Sequence, residues 1–172
     1  MRHVIVKAPA VVMIAAVLAL SGCGYRPLYG SSSGDAGVSA TLASVSIPEP
    51  TSRAGQIIRN DLISTMRSGT GEDRYTLTLA PIVNKSGVID LPQPAVTRQS
   101  ITLTVTYELL DRRTGSSLQQ GKTFSQVSFD VIRQPFADQQ AETNATERAA
   151  HEVSGDIRTR IAAYFATNPP QP

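Results

Sequence analysis

From Ser100 to Leu109 the sequence alternates without interruption. Ile101, Leu103, Val105, Tyr107 and Leu109 fall on one parity; Arg98, Ser100, Thr102, Thr104, Thr106 and Glu108 fall on the other. Successive side chains of a strand point to opposite faces. The run therefore fits a sheet with one face buried and the other turned to water or to a polar partner. The strand is predicted over residues 96–110. Asp111-Arg112-Arg113-Thr114-Gly115 follows and reads as a hairpin turn, so the next strand, 117–131, returns antiparallel. In that strand Leu118 and Phe124 share one parity while Val127, Phe129 and Val131 have the other, which predicts a bulge between Gly121 and Ser125.

Two further strands and two helices complete the pattern. Tyr75, Leu77 and Leu79 alternate with Thr76, Thr78 and Ala80 in a strand closed by Pro81 or shortly after it, and Asn84–Pro94 reads as a loop. Val38–Ile47 alternates loosely and stops at Pro48-Glu49-Pro50, because proline donates nothing to a sheet ladder. Between these strands Thr51 or Ser52 caps a helix reaching Met66 or Arg67, with Ala54, Ile58, Leu62 and Met66 recurring every four residues. The last helix starts at Pro135 or is capped by Asp138, and runs to Ala166. Ala149, Ala150, Val153, Ile157, Ile161 and Tyr164 share its apolar face. Gly155 in its interior costs about 1 kcal/mol against alanine. The order β-α-β-β-β-α predicts an α+β fold with two helices packed on one face of a four-stranded sheet. It forms a single domain over residues 38–167, followed by a disordered tail at 168–172.

The start of the chain is organised differently. Arg2 and Lys7 precede an apolar run, Ala8–Leu20, and the small residues Ser21 and Gly22 lead to Cys23, the one cysteine of the sequence. At about 13 residues the run is short of the ~20 that a membrane-crossing helix needs, and residues 1–22 read as a signal peptide. Leu20-Ser21-Gly22-Cys23 resembles the lipobox of bacterial lipoproteins. The resemblance implies cleavage between Gly22 and Cys23, a diacylglycerol thioether on the thiol and an acyl chain on the new amine. Each buried methylene contributes about 0.8 kcal/mol, so several chains make a stable anchor where one is marginal. Gly24, in place of aspartate, resembles the sorting signal for the outer membrane. Gly30-Ser-Ser-Ser-Gly-Asp-Ala-Gly37 then reads as flexible, making residues 23–37 a lipidated tether.

The net charge of +2 belongs to the signal, since without Arg2 and Lys7 there are 14 basic and 14 acidic residues. That balance leaves no basic field for nucleic acid. With Cys23 acylated no disulfide is possible, and stability comes from packing or from a partner. Catalytic patterns are equally thin. His151, the one histidine after the signal, has no motif-placed partner and reads as a solvated helix residue. No Gly-x-Ser-x-Gly stands between a predicted strand and a predicted helix to expose a serine as a nucleophile, and without a second thiol or a histidine pair no zinc site forms. Glu142, Glu147, Glu152 and Asp156 have spacings that suit solvation, and Asp156 with Arg160 makes an i,i+4 pair. No catalytic residue, metal ligand or cofactor is expected beyond the acyl groups on Cys23.

One surface carries a binding reading. Ser100, Thr102, Thr104 and Thr106 form a hydroxyl ladder flanked by Arg98. It is either a solvated sheet face or a face laid against another protein's wall. Arg112 and Arg113 at the hairpin tip are either solvated or in contact with an anionic lipid head group. Arg98, Thr102, Thr104, Arg112, Arg113 and Lys122 are thus the candidate contacts to lipid or partner.

Cys23-Gly24-Tyr25-Arg26-Pro27-Leu28-Tyr29-Gly30 resembles the mature N-terminus of the LPS-assembly lipoprotein family LptE of alphaproteobacterial type. The similarity continues through Arg53-Ala54-Gly55-Gln56, Arg59-Asn60-Asp61-Leu62, the Tyr75-x-Leu-x-Leu strand, Thr97-Arg98, Tyr107-x-Leu, Pro135-Phe136-Ala137 and Tyr164-Phe165. Gln139, Gln140, Thr143 and Asn144 depart from the alanine and acidic pattern of the family's last helix. The resemblance implies a non-enzymatic outer-membrane lipoprotein facing the periplasm. It would plug the LptD β-barrel, assist its assembly and help deliver lipopolysaccharide to the outer leaflet. The other reading of the same anchor and size is an outer-membrane lipoprotein serving as a binding module of a different lipid-export system.

Overall fold

A computed structural model describes residues 35–66, 72–88, 97–131 and 134–169. The elements are α1 (Asp35–Ala43), β1 (Val45–Ser46), α2 (Arg53–Met66), β2 (Tyr75–Val88), β3 (Thr97–Asp111), β4 (Ser117–Val131) and α3 (Pro135–Thr167). One mixed sheet has the order β1-β2-β3-β4. β1 is parallel to β2 through Val45↔Tyr75 and Ser46↔Thr76, with α2 as the crossover. β2–β3 and β3–β4 are antiparallel. The α+β class and the four-stranded sheet are as expected from the alternation.

The N-terminal part differs. Val38–Ile47 is expected as one strand, but α1 occupies Asp35–Ala43 and only Val45 and Ser46 pair. The structure therefore adds a third helix to the two expected, and residues 35–37 of the anticipated tether are helical. The loose alternation hides the reason: Leu42 and Val45 are both buried at opposite parity, which marks a change of element between them. Thr41 Oγ1 donates to Gly37 O at 2.7 Å within α1, and Ser44 N–H donates to Thr41 O at 3.1 Å where the helix ends.

β2 is longer than expected, running through Pro81 to Val88. Tyr75 N–H donates to Ser44 O, on the side away from β3, so the odd-numbered amides of β2 point that way. The missing N–H of Pro81 thus falls on an open edge, where it costs no ladder bond. Asn84–Val88, expected as loop, is strand; residues 89–96 lie outside the described part.

Ser52 caps α2, its Oγ accepting from Gly55 N–H at 3.1 Å. Ala54, Ile58, Leu62 and Met66 are buried as the four-residue spacing predicts. α3 begins with Pro135 at its first position, behind Gln134. Its buried residues Ala149, Ala150, Val153, Ile157 and Ile161 face Ile101, Leu103, Val105, Tyr107 and Leu109 of β3, all at most 2% exposed. Ring contacts close the far end of this core, Tyr75 on Phe165 at 5.0 Å and Phe165 on Tyr164 at 5.6 Å. Among the described residues no helix is long and apolar enough to cross a membrane.

The hairpin turn is held by Asp111, whose Oδ1 accepts from Arg113 N–H at 2.8 Å, and by Gly115 at φ 69°. The bulge falls beside this turn, not between Gly121 and Ser125. Leu110 pairs with Ser117 and Leu109 with Gln119, so Leu118 is the extra residue. β4 then keeps one parity to its end, with Thr123, Ser125, Val127 and Phe129 inward and Phe124 outward.

The inward hydroxyls of β4 meet carboxylates of α3. Thr123 Oγ1 donates to Asp156 Oδ2, and Ser125 Oγ donates to Glu152 Oε2 at 2.5 Å. Asp156 also pairs with Arg160 at 2.9 Å, and Arg160 reaches the Tyr107 side chain. Burial pushes the Asp156 carboxyl up, but the Thr123 hydroxyl and the Arg160 guanidinium outweigh it and hold the group below the usual aspartate range. A depressed carboxylate adds stability above its unfolded pKa and loses it as pH falls through the folded value. Asp156→Asn is expected to flatten the acid limb of a denaturation-versus-pH series below about pH 4 and leave the neutral slope unchanged. The loss at neutral pH is expected to be about 1 kcal/mol or less, because the side chain is partly in solvent.

Two glycines are expected to respond oppositely to alanine. A Cβ on Gly121, opposite Tyr107 in the register, would lie 2.5 Å from the buried Tyr107 hydroxyl, whereas a Cβ on Gly155 meets nothing within 4 Å. Chemical denaturation is expected to show Gly121→Ala destabilising by about 1–3 kcal/mol. Gly155→Ala is expected to stabilise by about 0.5–1 kcal/mol.

Candidate partner interface

Among the described residues the helices cover one face of the sheet and leave the other uncovered. Across that open face the register sets side chains in rows. Ser86, Ser100 and Ser128 form one row; Asn84, Thr102 and Gln126 the next; then Ile82, Thr104 and Phe124; then Ala80, Thr106 and Lys122; then Thr78, Glu108 and Gln120. Arg98 lies opposite Asp130, and its Nε is 3.2 Å from Asp130 Oδ1. Ser86 and Ser100 share a hydrogen bond at 2.9 Å, and Gln126 Nε2 donates to Ser100 Oγ at 3.4 Å. Arg98 and Lys122 balance Asp130 and Glu108, so the face is formally neutral. Hydroxyls and amides dominate it, with Ile82 (58% exposed) and Phe124 (69% exposed) flanking Thr104.

Four candidate contacts, Arg98, Thr102, Thr104 and Lys122, therefore share this face. Arg112 and Arg113 do not. They sit in the exposed hairpin turn, about 25 Å along the strand from Thr104. There they line a shallow depression with Glu72, Asp73 and Arg74. Arg112 N–H donates to Arg74 O at 3.0 Å and its Nη1 to Asp73 O at 3.3 Å, tying the turn to the start of β2. Gly22 and Cys23 lie outside the described residues.

Sequence reasoning did not single out Ile82 or Phe124 as surface residues. The available signal was the parity conflict between Phe124 and Val127, resolved by placing the bulge beside the turn. It also took the α3 carboxylates as solvated, whereas each meets another element. Glu142 pairs with Lys85 of β2 at 2.5 Å and Glu147 approaches Arg53 of α2 at 3.8 Å. Glu152 and Asp156 bind the β4 hydroxyls.

A serine, a histidine and an aspartate also meet between α2 and α3. Ser154 Oγ donates to Asp61 Oδ2, and His151 Nδ1 lies 3.4 Å from the same oxygen. Nucleophilic catalysis needs the imidazole to accept the serine proton. Here the acceptors within reach of Ser154 Oγ are Asp61 Oδ2 and His151 O, neither of them the imidazole, and Ser154 is 2% exposed. The trio clasps two helices. Among the described residues no group of three or more His, Cys, Asp or Glu is placed to hold a metal ion.

Comparison with known proteins agrees with this architecture. A lipoprotein-assigned structure from Caulobacter crescentus CB15 is 28% identical, with a TM-score of 0.64 over 78% of this chain and 99% of that one. Rare lipoprotein B from Shewanella oneidensis is 12% identical, with a TM-score of 0.57 over 73% and 97% of the two chains. A minor lipoprotein from Acinetobacter baumannii is 16% identical, with a TM-score of 0.53 over 69% and 88%. The last two share the fold. No curated protein matches the chain. The family model LptE, described as lipopolysaccharide-assembly, matches residues 40–161, from the end of α1 through most of α3. The chain belongs to the LptE lipopolysaccharide-assembly family.

Proposed function

We propose that this protein is an outer-membrane lipoprotein, acylated on Cys23 after cleavage behind Gly22. It acts as the plug and assembly partner of an LptD-type β-barrel and helps deliver lipopolysaccharide to the outer leaflet. The observation that carries the reading is the family match over 40–161 on a domain whose sheet, among the described residues, is covered on one side only. The inside of a transmembrane barrel is polar, and its closed sheet leaves no edge to pair with. A plug must therefore offer a face of hydrogen-bonding side chains, as the Thr102–Thr104–Thr106 face does. Shape and hydrogen bonding do the work, and no covalent step is assigned to the chain.

Extraction in mild detergent is expected to bring down one very large β-barrel with the protein. Recovery of the protein alone under those conditions would count against the plug. Cys23→Ala is expected to release the protein into the soluble fraction or mislocalise it, with its domain folded, because the core among the described residues begins at Thr41. Circular dichroism of the released variant checks this; loss of folded structure would contradict it.

A further inference from the structure

The open face contains an anomaly of pattern. A single exposed apolar side chain is ordinary on a protein surface. β4, however, turns Phe124 outward while turning its neighbours Thr123 and Ser125 inward, at 5% and 6% exposure. Those buried hydroxyls would each be costly without a partner, and Asp156 and Glu152 of α3 supply one apiece. The strand thus places its polar groups in the interior, with dedicated acceptors, at the position where a large aromatic ring stands in solvent. Ile82 stands in the same row on the far side of Thr104, about 10 Å across the sheet. The row Ile82–Thr104–Phe124 is an apolar spot bordered by Asn84, Thr102 and Gln126 on one side and by Ala80, Thr106 and the cation Lys122 on the other.

We infer that Phe124, with Ile82, is the anchor by which the open sheet face docks onto the inner wall of the barrel partner; this rests on the function proposed above. Charge separates the possible occupants. A membrane surface attracts proteins through clustered Lys and Arg, and on this face the two cations are balanced by two anions. Polar wall chemistry matches the hydroxyl and amide rows instead. In interfaces of this kind a buried aromatic in the centre carries most of the binding, and the surrounding polar contacts exclude water from it.

The test uses the full-length lipoprotein produced with its barrel in native membranes. Photoreactive p-benzoylphenylalanine replaces Phe124 or Ile82, and Phe124→Ala and Phe124→Arg are made in parallel. Ultraviolet light is expected to give an adduct of barrel mass from both photoreactive positions. Phe124→Ala is expected to reduce the barrel retained through a stringent wash about tenfold or more. Phe124→Arg is expected to reduce it further. The melting temperature of the separately purified domain should move little in either variant, since the side chain stands in solvent. If the wild-type protein retains the barrel while both variants retain it equally, or position 124 gives only an adduct of two copies or of lipid, the anchor is refuted and the plug stands. If the wild-type protein retains no barrel, both fall.

Discussion

The contact between the inner face of β3 and the buried stripe of α3 holds the domain together. Ile101, Leu103, Val105 and Leu109 are fully buried, as are Ala145, Ala149, Ala150, Ile157, Ile161 and Ala162. Four alanines on one helix let its backbone approach the sheet closely, and Val153, Ile157 and Ile161 fill the space between their turns. α2 then closes the flank through Ile58 and Leu62, and Asp61 ties it to Ser154 and His151 of α3. Because all three helices contribute to one side, the opposite face of the sheet is not needed for the core.

Apolar packing of this kind leaves the position of β4 along α3 loosely determined, and the two hydroxyl–carboxylate pairs determine it. Two residues along a strand advance about 6.6 Å and four along a helix about 6 Å. Thr123 and Ser125 therefore match Asp156 and Glu152 in reverse order, as an antiparallel strand and helix require. A slip of one residue would turn Phe124 inward and leave both carboxylates without their donors. The hydroxyls are buried and the carboxylates partly in solvent, so the pairs contribute modestly to net stability while fixing the register. Gly121 works in the same strand by sterics, since only a residue without Cβ leaves room for Tyr107 across the ladder.

Periodicity made the central elements legible. β3, α2 and the buried stripe of α3 follow from repeats of two and of nearly four residues, which survive in any environment that buries one face. α1 was not legible, because its nine residues carry no amphipathic repeat and its end was disguised as a change of strand parity at Leu42 and Val45. The extent of β2 was hidden by Pro81, whose meaning depends on whether its amide points to a neighbour or to an open edge. Topology decides that, and the local sequence does not carry it. The open face was legible as a hydroxyl ladder from Arg98 through Thr106, with Lys122 on the neighbouring strand. Its apolar centre was not, because Ile82 lay in a segment expected to end near Pro81 and Phe124 on a strand whose bulge was displaced.

The division between a closed face and an open one bears on how weakly the open face is allowed to bind. A surface with a large apolar area would drive association at any encounter, including with other copies of the same chain. Among the described residues this face carries two large exposed apolar side chains among hydroxyls and amides and no net charge, so in solution it has little to hold a stray partner. With Cys23 acylated, as proposed, the domain is confined near the membrane that also holds the barrel. Confinement to one membrane then raises the effective concentration of the two partners, to the order of millimolar where the linker is short. A modest interface is then sufficient, and in the docking inferred above its selectivity rests on Phe124 and Ile82.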